Sequence, residues 1–381
     1  VTVVERSATI RSGGYPIDVR GTAVDVVERM GLLPRVQAAH IDSRELRFVD
    51  VDDRIIGSIS PYILTNNENG RYVELMRGTL TTLLYDLSKN QSICYRFDDS
   101  IETLDDDGMG VNVRFKSGDR HRYDLVIGAD GLHSRTRRLA FGPEEQFNHY
   151  LGACFDIFSI PNEMGLSHGA IVYSEVGRTA LVLAVRDSKD VFAMLTFVAE
   201  APPFGASTDA EEHYKRTAAV FADGGWKVPR LLEAMRQSND LYSDTVSQIR
   251  MPVWSSGRVA LVGDAAYAPS FRSGQGTSLA LVGAYVLAGE LAANDDYCAA
   301  FCSYERITRP FVEANQTLAV DGHGFLLLPR TPQEIEARNQ ILAAIAAGEG
   351  VGARSDYAKE VHSMLTLPDY SPRPKTAEYR L

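Results

Sequence analysis

The sequence has no excess of positive charge. Its 39 basic residues are outnumbered by 50 acidic ones, for a net charge of −11, and no basic tract interrupts it. That balance argues against nucleic acid or an anionic membrane as partner. An anionic cofactor remains possible where local arginines and backbone N–H groups hold it. Long hydrophobic runs are missing too. No stretch reaches the about 18 uninterrupted apolar residues of a membrane span; the nearest, SLALVGAYVLAGELAA, is short and carries Glu290. No signal-peptide pattern opens the chain, so a cytoplasmic location is expected. There are only four cysteines, Cys94, Cys154, Cys298 and Cys302, without a C-x-x-C pair. They read as reduced thiols, with no metal site expected. Cys298 and Cys302, four apart on a probable helix, are expected to serve packing rather than a disulfide. Internal repeats and low-complexity tracts are absent.

What is present is ordinary for a globular protein: 45% hydrophobic and 23% charged residues over 381 positions, enough for one large domain or two to three smaller ones. Residues 1–5 read as a strand, followed by the glycine-rich RSGGYPIDVRG. TAVDVVERMGLL has helical spacing and stops at Gly31. ELRFVDVDDRIIGSI alternates around Asp52 and Asp53 as a hairpin. RGTLTTLLYDLSKN predicts a helix; SICYRF and GVNVRFKSGD predict strands. DLVIG is a continuous apolar run, expected to be a parallel strand buried on both faces. From 151 to 200 the chain changes character. Consecutive strands without helices between them predict an antiparallel sheet. A helix follows, with a capping box at Thr208 and Glu211. A long helical region then covers about 275–326. Residues 331–348 predict a separate helix with Thr331 as cap, Pro332 at its first position, Glu334 closing the box, Gly348 as stop, and Ile335, Leu342 and Ile345 on one face. The Pro-rich tail LPDYSPRPKTAEYRL is expected to be loosely ordered.

Two segments carry chemistry. In DLVIGADGLHSRTR a buried strand runs into Asp130-Gly131, then Ser134 and Arg137. In RVALVGDAAYAPSFRSGQGTSLALVG a buried strand ends in Gly263-Asp264, followed by Pro269 and by Gly274-Gln275-Gly276 at the start of an apolar helix. Small residues let backbone approach a flat ligand. An acid at a strand tip accepts hydrogen bonds from sugar-like hydroxyls, and a helix N-terminus favours negative charge. Glu5 stands where a second Rossmann strand holds an adenosine ribose, and reads equally as a solvated strand-end glutamate. Arg77 begins a helix; alone it would pass for a surface residue. His133 and His323 read more readily as packed or surface residues than as catalysts.

Taken together, these segments resemble the class A FAD-dependent monooxygenases, the para-hydroxybenzoate hydroxylase-like group, over nearly the whole chain to about residue 325. SGGYPIDVRG, GDAAYAPS with Tyr267 in place of the commoner His, and the extra helix at 331–348 look like the tetracycline-inactivating members. The resemblance implies an α/β fold: a Rossmann-like FAD-binding domain over 1–150 and 245–325, an antiparallel-sheet substrate domain over 151–244 that the hairpin near 44–60 could join, and a bridging helix and tail over 326–381. It implies FAD as cofactor, NADPH or NADH as co-substrate, and O2-dependent hydroxylation of a polycyclic or aromatic compound, with a tetracycline-type antibiotic or an aromatic polyketide as substrate. Glu5, Arg6, Arg77, Asp130, Gly263, Asp264, Pro269, Gly274, Gln275 and Gly276 would hold the cofactor. Arg178 and Arg186, at or near strand ends of the sheet, are weaker candidates for substrate contact. No catalytic acid or base is required, because the cofactor carries the chemistry. The only tryptophans, Trp226 and Trp254, do not form the W-x-W-x-I-P pattern of flavin halogenases.

One element of the family pattern is missing. A strand and G-x-G-x-x-G should open an about 30-residue unit before Glu5, and neither is in this sequence. Because that strand lies mid-sheet in the fold, the expectation is a piece of a longer protein. The alternative is a natural short start with weakened flavin affinity, or a flavin-free binding protein.

Overall fold

The computed structural model describes residues 1–11, 13–61, 71–202, 209–320, 324–348 and 352–370. Its largest element is a seven-stranded sheet. In spatial order the strands are Tyr242–Ile249, Asn148–Pro161, Asp190–Val198, Arg178–Ala184, Gly169–Glu175, Glu45–Val49 and Ile55–Ile59. The hairpin read around Asp52 and Asp53 is part of this sheet; Asp53 takes φ 66° at its turn. The strands of 151–244 pair antiparallel, as expected, and the hairpin joins them through a parallel pairing of Gly169–Glu175 with Glu45–Val49. No periodicity marks that pairing, since the two strands lie more than 100 positions apart in the chain.

The two faces of the sheet differ. Along Asp190–Val198, Val191, Ala193, Leu195 and Phe197 are buried, while Phe192, Met194, Thr196 and Val198 are half-buried. The buried set packs with Phe221, Leu231 and Met235, which lie on and beside the helices Ala210–Val220 and Val228–Gln237. The first of these helices is capped by Asp209, whose side chain accepts from the Glu211 N–H. The expected cap Thr208 lies outside the described residues. Asp209 is the better cap in any case, because an ionised oxygen suits the helix dipole.

The nucleotide-fold portion is built of short parallel pairs. Thr2–Val4 pairs with Cys94–Arg96, and Val126–Gly128 with Val259–Leu261. The run DLVIG is not buried on both faces, as Ile127 is 38% exposed. Around these strands the helices Thr22–Arg29, Arg77–Ser88, Gly276–Ala293 and Tyr297–Leu318 enclose the largest core, which includes Val26, Val73, Leu261, Val282 and Phe311. The Gly276–Ala293 helix is long and apolar enough, by length and composition, to cross a membrane. Here its Leu279, Val282, Val286 and Leu287 are buried in that core. Cys298 and Cys302 are exposed rather than packed. All four thiols are free, and the described residues hold no cluster of three metal-ligating side chains.

The Pro332–Ala346 helix forms as its signals require. Thr331 Oγ1 accepts from the Glu334 N–H, Pro332 occupies the first turn, and Gly348 takes φ 82° beyond the end. The Glu334 carboxylate reaches back one residue further than a simple box, to the Arg330 N–H at 2.5 Å. Leu342 is buried against Phe48, Ile59 and Val172 of the sheet. The apolar stripe also contains Arg338, which a search for hydrophobes passes over, although 335, 338, 342 and 345 share its spacing. It is 2% exposed, its guanidinium lies over the Phe48 ring, and its only acceptor among the described residues is Asn339 Oδ1. Burial alone pulls its pKa down. A buried charge without a counterion costs stability that a hydrophobe of similar length does not. Arg338→Met is therefore expected to leave the unfolding midpoint unchanged or raise it; a clear drop in a thermal melt would refute this.

The start of the tail, residues 367–370, departs from expectation, while 371–381 lie outside the described residues. A further helix spans Gly352–His362, and the residues after it are docked. Thr22 Oγ1 donates to the Leu365 carbonyl, Arg29 Nη1 to the Pro368 carbonyl, and the Tyr370 hydroxyl to Glu290 Oε1 at 2.7 Å. Leu367 is buried. Proline limits helix formation here, yet the extended backbone it favours can still be held by carbonyl acceptors.

Candidate functional site

The strand Val259–Leu261 ends in Gly263, whose φ of 65° turns the chain sharply into the short helix Asp264–Tyr267. Only glycine takes this conformation freely, and a Cβ there would press on Ala280 at 3.2 Å. The turn leaves Asp264 surrounded by protein yet part-accessible. Burial raises its pKa, the Arg77 guanidinium opposes the rise, and Asp244 adds to it. No hydrogen bond from the described residues reaches its carboxylate. Gly276 faces it so closely that a Cβ on that glycine would stand 3.5 Å from Asp264 Oδ1.

Gly274 takes φ 62°, and any side chain there would come within 3.0 Å of Asp18 Oδ2. Gln275 follows as the N-cap of the Gly276–Ala293 helix, and no side chain caps that helix. Gln275 is 1% exposed, yet its amide nitrogen and oxygen both lack a partner among the described residues. A buried donor and acceptor left unmet is costly, unless a ligand supplies the complement. An unpaired carboxylate, an unpaired amide, two glycines and an uncapped helix start thus converge. They fit a flat ligand that carries hydroxyls and acceptor atoms, as a flavin nucleotide does.

Arg77 opens its helix and meets the Gly14 turn. Its backbone N–H donates to the Tyr15 carbonyl, and its positive charge opposes the rise that burial gives the Tyr15 pKa. Tyr15 belongs to an aromatic group. Its ring lies 6.2 Å from Tyr242 and 6.5 Å from Phe271, and Phe271 stacks on Phe155 at 4.5 Å. Tyr242 and Phe271 are 42% and 39% exposed.

Sequence reasoning misses Asp18 and Arg20. They sit on the strand Pro16–Arg20, where Arg20 Nη2 contacts Asp18 Oδ2 at 2.5 Å and the Arg20 N–H donates to Ser278 Oγ at 3.1 Å. Opposite Asp18 across the strand pair stands Glu74, whose pKa burial and Asp18 push up to about 7. The glycine-rich RSGGYPIDVRG is the signal, but its acid and base are not separable from turn residues.

In the D-G segment the Asp130 carboxylate is engaged locally. Asp130 is exposed, and its carboxylate accepts from Ser134 Oγ, the Thr136 N–H and Thr136 Oγ1. It thereby holds the start of the helix Arg135–Ala140, which Ser134 caps. The buried member is Arg137, with no exposed surface. It donates to the Ala265 carbonyl at 2.9 Å, the Leu132 carbonyl at 2.6 Å and Glu144 Oε2 at 2.7 Å. Arg137 thus ties the D-G segment to the G-D segment.

His133 bridges two carboxylates, Nδ1 to Glu144 at 2.8 Å and Nε2 to Asp244 at 3.1 Å, and Asp244 also accepts from the Tyr242 hydroxyl. Asp244 foremost, then Glu144, push the imidazole up to about 10 and keep it charged. A raised folded-state pKa stabilises the fold below the unfolded value, and that stability is lost as pH rises through the folded one. The stability gap between wild type and His133→Gln is expected to narrow from about pH 6.5 to pH 10. The effect is muted because the side chain is 55% exposed. A gap that widens in urea melts across that range would contradict it.

The remaining expected residues lie elsewhere or serve locally. The Glu5 carboxylate accepts from the Ser7 N–H at 2.7 Å, and Arg6 beside it is exposed. Pro269 is buried, its carbonyl accepting from Gln248 Nε2. Arg178 is held by Glu175, Asp223 and the Val220 carbonyl, and Arg186 donates to the Ala38 and His40 carbonyls. Neither arginine contacts the cluster around Asp264. Tyr267 turns into the core, close to Tyr304 and Trp254. His323 lies outside the described residues.

Comparison with known proteins agrees with this geometry. A family model described as "FAD binding domain" matches residues 2–315. An uncharacterized protein of Mycobacterium tuberculosis is 45% identical over 330 residues, covering 84% of this chain and 86% of its own. A flavin-dependent monooxygenase of Legionella longbeachae is 36% identical over 373 residues, covering 97% and 91%. Among solved structures, the tetracycline destructase Tet(55) superposes with a TM-score of 0.81 at 35% identity, covering 97% of this chain and 92% of that one.

Proposed function

From the premise that the chain belongs to the FAD binding domain family and is a flavin-dependent monooxygenase, we propose that it hydroxylates a flat polycyclic or aromatic compound, a tetracycline-type antibiotic foremost. The observation that carries this reading is an apolar row across one face of the large sheet. Residues directly opposite one another in paired strands share a face. The row Tyr242, Ile157, Met194, Leu181, Val172, Phe48, Gly57 therefore crosses all seven strands. At about 4.8 Å per strand it runs some ~29 Å. One end is Tyr242, beside the Asp264 cluster; at the other, Leu342 sits on Gly57, where an added Cβ would come within 2.9 Å. Phe48 and Val172 are buried beneath Leu342 and Ile157 is buried, while Met194 and Leu181 are half-buried and Tyr242 is exposed; an apolar row that opens toward Tyr242 suits a fused-ring body better than a small polar substrate.

FAD, when bound, supplies the transfer of electrons from NADPH or NADH to dioxygen. The chain supplies placement. Asp264 would accept from hydroxyls of the cofactor, the Gln275 amide would meet its polar atoms, and the uncapped start of the Gly276–Ala293 helix would favour negative charge. The sheet and the Pro332–Ala346 helix exclude water from the substrate. The test is incubation of the full chain with FAD, NADPH, oxygen and tetracycline. A product heavier by one oxygen in the mass spectrum supports the reading. Turnover of an aromatic polyketide in preference to tetracycline would move it to polyketide tailoring, and no oxygenated product from either would sink it.

Helix Pro332–Ala346 covers one end of the row. Truncation after Arg330 should keep flavin binding but lose the coupling of NADPH consumption to product. Full, coupled turnover by a stable truncated protein would show that the helix has no part in substrate handling.

A further inference from the structure

The segment from Tyr267 to Gly274 joins the Asp264 turn to the start of the Gly276–Ala293 helix, and two glutamines from distant parts of the chain grip it. Gln248 lies near the end of the strand Tyr242–Ile249 and has no exposed surface. Its Nε2 donates to the Pro269 carbonyl at 3.0 Å and to the Gln316 backbone carbonyl at 2.7 Å, and its Oε1 accepts from the Arg250 guanidinium. Gln316 is buried on the helix Tyr297–Leu318. Its Nε2 donates to the Ile249 carbonyl at 2.8 Å and the Ala268 carbonyl at 3.2 Å, and approaches the Tyr267 carbonyl oxygen at 3.4 Å. Two buried amides thus take the carbonyls of Ala268 and Pro269 and fasten this segment to the last residues of the strand.

The next residue shows what the grip holds. Ser270 is buried, with φ 89° and ψ 145°, a conformation that glycine adopts freely and a Cβ opposes. Such a backbone persists only where its surroundings over-determine it. The Ser270 carbonyl accepts from Ser273 Oγ at 2.8 Å, and Ser273 Oγ accepts in turn from the Gln275 N–H at 2.9 Å. A line of contacts therefore runs from Gln248 through the Pro269–Ser270 peptide and Ser273 to Gln275, the residue whose buried amide has no partner among the described residues. At the other end of its strand Gln248 is joined to Tyr242, the head of the apolar row. Resting on the cofactor role given above to Gln275, we infer that Gln248 and Gln316 are positioning residues for the flavin site. They hold Ser270 in its strained turn, and through Ser273 they set Gln275 where it would meet the cofactor. Neither amide has to touch the flavin. Methionine in either place fills a similar volume but releases the carbonyls, and the Ser270 turn then relaxes away from its strained geometry.

The test uses the full chain, without and with FAD. Without FAD, Ser270→Gly should melt above Ser270→Ala, the reverse of the order these two residues give in ordinary backbone. With FAD, Gln316→Met should weaken binding by about tenfold in a fluorescence titration. At saturating FAD it should also alter the visible circular dichroism of the bound flavin, which does not depend on occupancy. Gln248→Met should do the same. In Gln316→Met/Ser270→Gly both signals should return toward wild type, because glycine keeps the turn without the grip; a loss of general stability would not be repaired in this way. If Gln316→Met does not fold, the double variant should fold and bind FAD. Ser270→Ala melting above Ser270→Gly overturns the inference. So do wild-type affinity and dichroism in both methionine variants, and so does a defect, in binding or in folding, that glycine fails to repair. None of these readings needs turnover or a substrate. Failure of the cofactor role itself looks different, since the wild type would then take up no FAD at all.

Discussion

Replacing Arg137 by methionine is expected to lower the unfolding free energy by about 3–5 kcal/mol. Methionine keeps most of the volume, so the loss is not that of a cavity. It comes from the three acceptors that Arg137 satisfies in a site without solvent: the Ala265 and Leu132 carbonyls and Glu144 Oε2. Glu144 keeps His133 and Asn148 as partners, which favours the lower end of that range. Arg137→Lys should fall between, since an ammonium holds the charge without the planar fork. The Ala265 carbonyl belongs to the residue after Asp264, so the same change should loosen flavin binding. Urea unfolding checks the first part and flavin titration the second. A destabilisation under about 1 kcal/mol would show that the two segments do not depend on this link.

Asp264→Asn should act with opposite signs on flavin affinity and on the flavin-free protein. The carboxylate has no hydrogen-bond donor from the described residues, and burial disfavours its charge. Neutralising it removes that penalty, so the flavin-free protein should unfold at the same or a higher temperature. With flavin bound, the carboxylate's charge-assisted hydrogen bonds to hydroxyls are worth roughly 1.5–3 kcal/mol, and Asp264→Ala should weaken flavin binding by about 10- to 100-fold. Asparagine, which retains an acceptor oxygen, should lose less. This trade of stability for binding is the usual mark of a functional carboxylate. Flavin affinity unchanged in both variants would remove Asp264 from the site.

Much of this is legible in local sequence. Strand alternation locates the sheet, because side chains on one covered face repeat every second residue. Thr331, Pro332 and Gly348 mark a helix, because capping depends on residues within a few positions. The G-D segment identifies itself through glycine positions that backbone geometry demands: Gly263 and Gly274 both have positive φ. Local reading fails where a residue has two possible partners. Asp130 has the right place for a ligand, yet its carboxylate closes on its own helix start. The proline-rich tail promises looseness, yet Leu367 is buried and Tyr370 is anchored to Glu290, 80 positions away.

The sequence by itself therefore determined most of the elements and the glycine turns at Gly263 and Gly274, since both follow from neighbours along the chain. Tertiary structure decided the rest. It joined Arg137 to Ala265 across 128 positions. It laid Tyr242, Ile157, Met194, Leu181, Val172, Phe48 and Gly57 in one row through strand register. Register and charge proximity are sums over contacts distant in sequence, and no local pattern encodes them, because each residue's propensity is the same whichever strand or charge it finally faces.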